Sequence, residues 1–462
     1  MGDPTLPVAA GYGAYHHPNG MTRRNTTLVS ALVIVGAVSV AVVLRVHEAS
    51  AASSRRIASA AVRVESERAA RDRALAFYLS VARGDSTSSM AFAKAGALQL
   101  QRARENGNFS DIIGAEELAR RSLRILPSNE DAALTLTSGL MAEHRFREAI
   151  DVARGLLANE PGKASHRALV AEILLELGDY DLARPIFDSL QRGEMNLTVS
   201  ARVARWLELT GRSADARRII QRAGEQAIRL DHLPREQVAW YYLRMGDLQL
   251  RDGHVQRAER AYMEGLLVVP DDYRLHAGLA RLFANQHRWR AAIEHAEASI
   301  ALVLDPASLA VLSDAYRAVG DSAKAAEFDA ALDVAFLHQP GPFHRAMSLY
   351  LLDRGKHVRE VLAKAEEEIA TRRDPYGYDV LAWALHANGR DDDARAAMRA
   401  ALRFGTVDAN MLFHAGVIER ALGNANAARQ FLARSLRVNP QFHSAHPSTA
   451  RAMLDSIGAV PE

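Results

Sequence analysis

A turn-forming residue returns along this chain every 33 to 35 residues, and that period constrains the fold more than any other feature. Gly178, Gly211, Gly253, Gly320, Gly355, Gly389 and Gly423 carry the register, and His144 and His287 occupy the same slot in two further units. The one long step is the 42 residues from Gly211 to Gly253. Proline shares the phase: Pro127 and Pro161 lie 34 apart, and Pro270 and Pro440 lie 170 apart. Self-similarity at a period of about 20–50 residues marks stacked supersecondary units, none of which can bury its apolar face alone.

The stretch from Trp240 to Pro270 shows what one unit needs. A first helix carries Tyr242, Met245, Gly246 and Gln249, and Gly253 turns the chain because a residue there must leave the helical region. A second helix carries Ala258, Tyr262, Gly265 and Leu266, and Pro270 stops it. Gly246 and Ala258 are small where the two helices cross, and Tyr262 is expected to fill the space toward the next unit. The same places are held by Gly178, Ala183 and Phe187; by Ala149, Ala153 and Pro161; and by Gly423, Ala428, Leu432 and Pro440.

These residues, over about 350 positions, resemble the tetratricopeptide repeat (TPR) family, whose period is about 34 with small residues at fixed places. The resemblance implies an all-α, right-handed α-solenoid of about ten hairpins. They open near Ser88, Glu130, Ala164, Leu197, Ala239, Tyr273, Pro306, Gly341, Pro375 and Ala409. Three units depart from the pattern. The first has an enlarged turn at Glu105–Gly114, the fourth a long second helix from Ala214 to Leu230, and the eighth has Glu360, Lys364 and Glu367 where small or apolar residues belong. Ser448 to Ile457 reads as a terminal capping helix, which stacked repeats require for solubility.

Ahead of the repeats, Asn25 to Leu44 is twenty residues without a charge, bounded by Arg24 and Arg45. As a helix this run is about 30 Å long, the thickness of a bilayer's hydrocarbon core. It is expected to be a single transmembrane helix over 25–46, with Thr27, Leu32, Ile34, Val38, Val42 and Leu44 in the span. A cleaved signal peptide is the rival reading, since Ala49-Ser50-Ala51 forms a small-residue cleavage site; the run exceeds the usual apolar length for one. Met21 is an alternative start. Arginines flank both ends, so charge does not orient the span; the short N-terminus places the large C-terminal part outside the cytoplasm. The expected organisation is a tail at 1–24, the span at 25–46, a solvated helical stalk at 47–85, the solenoid at 86–445 and a cap with its tail at 446–462.

Composition narrows the function. Lys+Arg is 57 against Asp+Glu 55, which supplies no basic field for nucleic acid. Cysteine is absent, which excludes disulfides, thiolate metal sites and thiol nucleophiles. Gly162-Lys163 lacks the upstream glycine of a phosphate loop, having Leu157 in its place, and no HExxH occurs. His443 and His446 share a spacing that one helix face could use for a metal, but Pro447 follows at once; no metal and no cofactor is expected. His16-His17 is a tail pair with incidental metal affinity. An enzyme is not expected.

Binding is. In the family the first helix of each unit lines a concave groove. Its inward stripe here comprises Trp240, Asp247 and Arg251; Arg274 and Arg281; Asp314 and Arg317; and Tyr376, Asp379, Trp383 and His386. Trp, Tyr and Arg dominate protein interfaces, and Arg251, Arg281 and Arg317 are placed either to form a basic ladder for a carboxylate or to pair with Asp247, Asp314 and nearby acids as surface decoration. Trp206 and Trp289 fall at packing positions. The expected partners are proteins or peptides of the membrane or periplasm, and lipid through the N-terminal helix. The resemblance suggests a membrane-anchored scaffold for assembling or maintaining an envelope complex. A permanent structural subunit and a docking arm for an envelope polysaccharide or secretion machine are the alternatives.

Overall fold

The computed structural model describes residues 54–193, 195–338 and 343–458. The expected span and tail, 1–46, lie outside the described residues. Among the described residues all regular structure is helical, and no helix is long and apolar enough to cross a membrane. Residues Ser59–Glu462 form one compact unit.

Ten helical hairpins fill that unit. Their first helices open at Ser89, Glu130, Ala164, Leu197, Arg235, Tyr273, Pro306, Arg345, Pro375 and Ala409, and a last helix spans His446–Gly458. Six first helices start behind Asn129, Asn196, Asp272, Asp305, Asp374 or Asp408, whose side chains accept N–H groups of the first turn. Pro306 and Pro375 occupy first-turn positions where no N–H is needed. The hairpin turns are left-handed at the seven register glycines, and His144 and His287 take the same conformation at φ 58° and 59°. The eighth unit adds His357 at φ 49° beside Gly355. The enlarged turn expected at Glu105–Gly114 is only Gly107–Asn108. The Asn106 and Asn108 side chains accept the N–H groups of Asn108 and Ser110, so two residues suffice.

Tyr262 shows how neighbouring units lock. It is fully buried, and a Cβ added at Gly246 would lie 2.2 Å from its ring, one at Gly278 of the next unit 2.9 Å. Both glycines exist to admit the ring. Gly246→Leu is expected to lower stability by about 1–3 kcal/mol through overpacking; a melting curve unchanged from wild type would refute the crossing.

The stack then coils back on itself. The Thr406 hydroxyl donates to the Leu209 carbonyl at 2.6 Å, the Asn439 amide to that of Leu250 at 2.8 Å, and the Arg373 N–H to that of Glu176 at 2.7 Å. Each bond joins the turn of an early unit to the loop that follows a late one. At Gly211, φ is 75° and a Cβ would lie 2.2 Å from the Gly405 carbonyl oxygen. The glycine there satisfies both the left-handed turn and the backbone approach.

The residues expected to form a solvated stalk are packed from 59 onward. Arg71 is buried and bonds Glu105, Arg68 pairs with Asp271 at 2.5 Å, and Glu67 accepts the Arg235 N–H at 3.1 Å. Arg68 and Arg71 are held by Glu105 of the first hairpin, and Arg68 also by Asp271 of the loop after the fifth.

Candidate functional site: a charged lumen

Because turns dock on loops about six units away, the inward stripes of the first helices face one another across a narrow lumen instead of an open groove. At its middle is Glu208, 2% exposed, which faces Arg244 at 2.7 Å, Arg205 at 3.4 Å and, more closely, Arg251. The Tyr376 hydroxyl lies 3.5 Å from the same carboxylate, and the guanidiniums of Arg205 and Arg251 stand 5.4 and 5.2 Å over its ring. A second knot surrounds Asp374, fully buried, which holds Arg345 at 2.8 Å and Arg372 at 2.9 Å while capping the helix that begins at Pro375. Burial pushes the Asp374 carboxyl up, but Arg345, Arg372 and Arg205 outweigh it and hold it well below the usual carboxylate range. Arg372 also reaches Glu176 at 2.6 Å, joining the third hairpin to the loop after the eighth.

His144 sits in that junction. Its Nε2 accepts from Arg372 at 3.1 Å and its Nδ1 faces Glu368 at 3.5 Å, the pattern of a neutral ring. Burial, then Arg372 and Arg345, pulls its pKa down to about 3. Partial burial beside His276 pulls His295 to about 4. Below the ordinary histidine value near 6.5 the unfolded chain takes up protons these two sites refuse. Their stabilisation is therefore complete above that value and is lost as pH falls toward 4. The urea midpoint is expected to drop between pH 7 and pH 5, and His144→Asn, which tolerates the left-handed turn, is expected to shrink the drop. An equal drop in the variant would remove His144 as a cause.

Among the described residues, two cavities open on the lumen. One, about 530 Å³, is lined by Arg104, Arg202, Arg205 and Arg244, by Glu172 and Glu236, and by Trp240 and Tyr241. The other, about 310 Å³, carries the acidic side chains Asp247, Asp314, Asp353 and Asp408 against Arg251 and Arg281, with His443 at its wall. Opposite electrical character in the two chambers follows from those charges.

The expected groove residues divide among these features. Trp240 lines the first chamber, half-buried, edge-on to Tyr241. Asp247 accepts the Tyr262 hydroxyl at 2.8 Å and Arg281 at 2.9 Å, so it serves the repeat packing. The basic ladder does not form. Arg251 is spent on Glu208 and lies 3.4 Å from Asp408, Arg281 on Asp247, and Arg317 on Asp314 and Asp329. Arg274 folds back onto Asp272 at 2.6 Å at its own helix start. Asp314 also pairs with Arg354. Tyr376 belongs to the Glu208 cluster. Asp379 is buried and bonds His414 at 2.8 Å, whose ring stacks on Trp383 at 4.3 Å. The Trp383 indole donates to Asp353 at 2.9 Å, and His386 pairs with Asp391 at 2.5 Å. Most of these pairs lie within one unit or between neighbouring units; Arg251–Asp408 and Tyr376–Glu208 cross the lumen, where the closing coil brings the opposite wall within side-chain reach. Trp206 stacks on Phe187 at 5.3 Å in the core, and Trp289 packs partly buried in the core of the fifth and sixth units.

Glu176, Glu208, Arg205, Arg244, Arg345, Arg372 and Asp374 are not among the groove residues expected from the sequence. A signal existed for some. Glu143, Glu176, Glu208, Arg251, Arg317 and Asp353 stand one to three residues before the turn residue of their units, where a first helix ends beside the lumen.

No family model matches the chain, and no curated protein is similar to it at a significant level. Among solved structures, the Cut9–Hcn1 hetero-tetramer of the APC/C is similar over 80% of this chain at 15% identity and TM-score 0.43, and this chain covers 63% of that one. PilW, a widely conserved type IV pilus biogenesis factor, is 20% identical over 46% of this chain and 96% of its own, with TM-score 0.39. A human IFIT1 dimer with PPP-AAAA is 15% identical over 76% and 90%, with TM-score 0.41. The assignment of the repeat type rests on this chain's own period, left-handed turns and crossing residues.

Proposed function

We propose that this chain, a tetratricopeptide-type α-solenoid, is a protein-binding scaffold, tethered to a membrane by its N-terminal apolar run and devoid of catalysis of its own. The observation that carries the binding reading is the 530 Å³ chamber, where arginines and a half-buried Trp240 converge. Those are the side chains that anchor protein interfaces. Arg104 and Arg202 are already engaged by Glu236 and Glu172 at 2.9 and 2.7 Å, so an acidic partner segment would exchange one carboxylate for another while its apolar side chain meets Trp240.

Tethering rests on the twenty uncharged residues from Asn25 to Leu44. An anchor confines the scaffold to two dimensions and raises its effective concentration toward other membrane proteins. We place the solenoid on the periplasmic side of the inner membrane, in assembly or maintenance of an envelope complex. Affinity capture from membranes tests the binding. Trp240→Ala is expected to reduce partner recovery about tenfold at unchanged helicity, as expected for a hot-spot aromatic worth ~1.4 kcal/mol or more. Loss of helicity instead would make Trp240 a packing residue. Protease access to intact spheroplasts tests the topology; a solenoid degraded only after lysis would refute the periplasmic placement.

A further inference from the structure

The acidic cavity holds a constellation that the scaffold reading does not use. Asp353 ends the helix Arg345–Asp353 of the eighth hairpin. His446 begins the terminal helix, and His443 sits in the loop just before it. The three offer ligand atoms that all lie within 4.8 Å of one another. Asp353 Oδ1 accepts the Trp383 indole N–H, while Oδ2 faces His446 Nε2 at 3.2 Å and His443 Nε2 at 3.8 Å.

The hydrogen bonds make this arrangement incomplete. His446 Nδ1 lies 2.9 Å from Asn410 Oδ1. A side-chain amide oxygen only accepts, so Nδ1 carries the hydrogen and the neutral ring presents a bare lone pair at Nε2. That lone pair points at a carboxylate oxygen, and two acceptors at 3.2 Å need a cation between them, a proton or a metal ion. In the same cluster His414 is fully buried with its Nε2 unpartnered. The wall is net negative, since Asp247, Asp314, Asp353 and Asp408 outnumber Arg251 and Arg281 in the same cavity.

We propose that Asp353, His443 and His446 bind one divalent transition-metal ion of the zinc type, with water from the cavity completing its coordination. Two imidazoles and a carboxylate are a recurrent donor set for such ions. Asn410 is the outer partner that fixes the His446 tautomer, as metal-bound histidines usually require. Zinc holds nitrogen and oxygen ligands at about 2.0–2.2 Å, so the ligands draw together on binding. His443 supplies the movement. It is a third exposed, stacks on His446 at 3.8 Å and accepts the Ala445 N–H at its Nδ1, contacts that its ring exchanges for the ion. The bound ion ties the eighth hairpin to the terminal helix, 93 residues further on, and so clamps the cap that closes the stack.

The test uses the full chain in detergent, stripped with a chelator and titrated with Co²⁺. One equivalent is expected to bind with a visible ligand-field spectrum and to be displaced by Zn²⁺. Asp353→Asn, His446→Gln and His443→Gln are each expected to weaken binding at least tenfold, with circular dichroism confirming that each variant is folded. The His16→Ala, His17→Ala double variant is expected to bind as wild type. Hydrogen exchange of residues 446–458 is expected to slow on metal addition in wild type and not in His443→Gln. Absence of saturable uptake, wild-type uptake in the three site variants, or uptake that disappears with the tail pair would each overturn the proposal.

Discussion

Glu208→Gln is expected to cost about 3–5 kcal/mol, the range found when one partner of a buried ion pair is removed. The residue is 2% exposed and faces Arg205, Arg244 and Arg251, which are about one-fifth to one-quarter exposed. Arg251 keeps Asp408 at 3.4 Å and Arg244 has Asp247 at 3.7 Å, but Arg205 loses its only paired carboxylate among the ion pairs of the described residues. Glutamine preserves the shape and turns an acceptor-only group into one that presents N–H groups to guanidiniums. Urea unfolding read by circular dichroism measures the cost. The Glu208→Gln, Arg205→Met pair is expected to recover at least 1 kcal/mol relative to the sum of the single changes, since contacting groups couple by about 0.5–3 kcal/mol. A single variant within about 0.5 kcal/mol of wild type would mean that the arginines are solvated and that the lumen is open.

Gly211→Ala is the second large effect, expected at about 2–5 kcal/mol. About 1–2 kcal/mol comes from the left-handed conformation, and about 1–3 kcal/mol from forcing a methyl group against backbone, here the Gly405 carbonyl at 2.2 Å. Gly423→Ala separates the two causes. Its φ is 76° but nothing lies within 4 Å of the added carbon, so only the conformational cost of about 1–2 kcal/mol is expected. Small-angle scattering should show a larger radius of gyration for Gly211→Ala and not for Gly423→Ala, because only the first prises an early turn off a late loop. Equal costs and equal radii would mean that the coil is not held shut at this contact.

Several parts of this molecule were legible in the residues. The hairpin period, the histidines at 144 and 287 standing in for glycine, and the wedge of Tyr262 between small residues follow from local stereochemistry and from contacts between adjacent units, which a repeating sequence writes out directly. The terminal helix was legible for the same reason. The lumen was not. The pairs Arg317–Asp314 and Arg281–Asp247 follow local spacing, but the contact of Arg251 with Asp408 comes from the far wall, and no local rule points to it. Only one of the metal-site residues depends on distance along the chain: His443 and His446 are near neighbours, whereas Asp353 joins them from the eighth unit.

By itself, then, the sequence determined the unit: two helices, a left-handed turn, small residues at the crossing, and a neighbour to lean on. Whether the stack stays open or closes depends on the summed rotation of ten such units. An angular difference too small to leave a mark on any one of them accumulates until Thr406 reaches the Leu209 carbonyl and Arg372 reaches Glu176. Only the tertiary structure decided that, and with it which charges face water and which face each other.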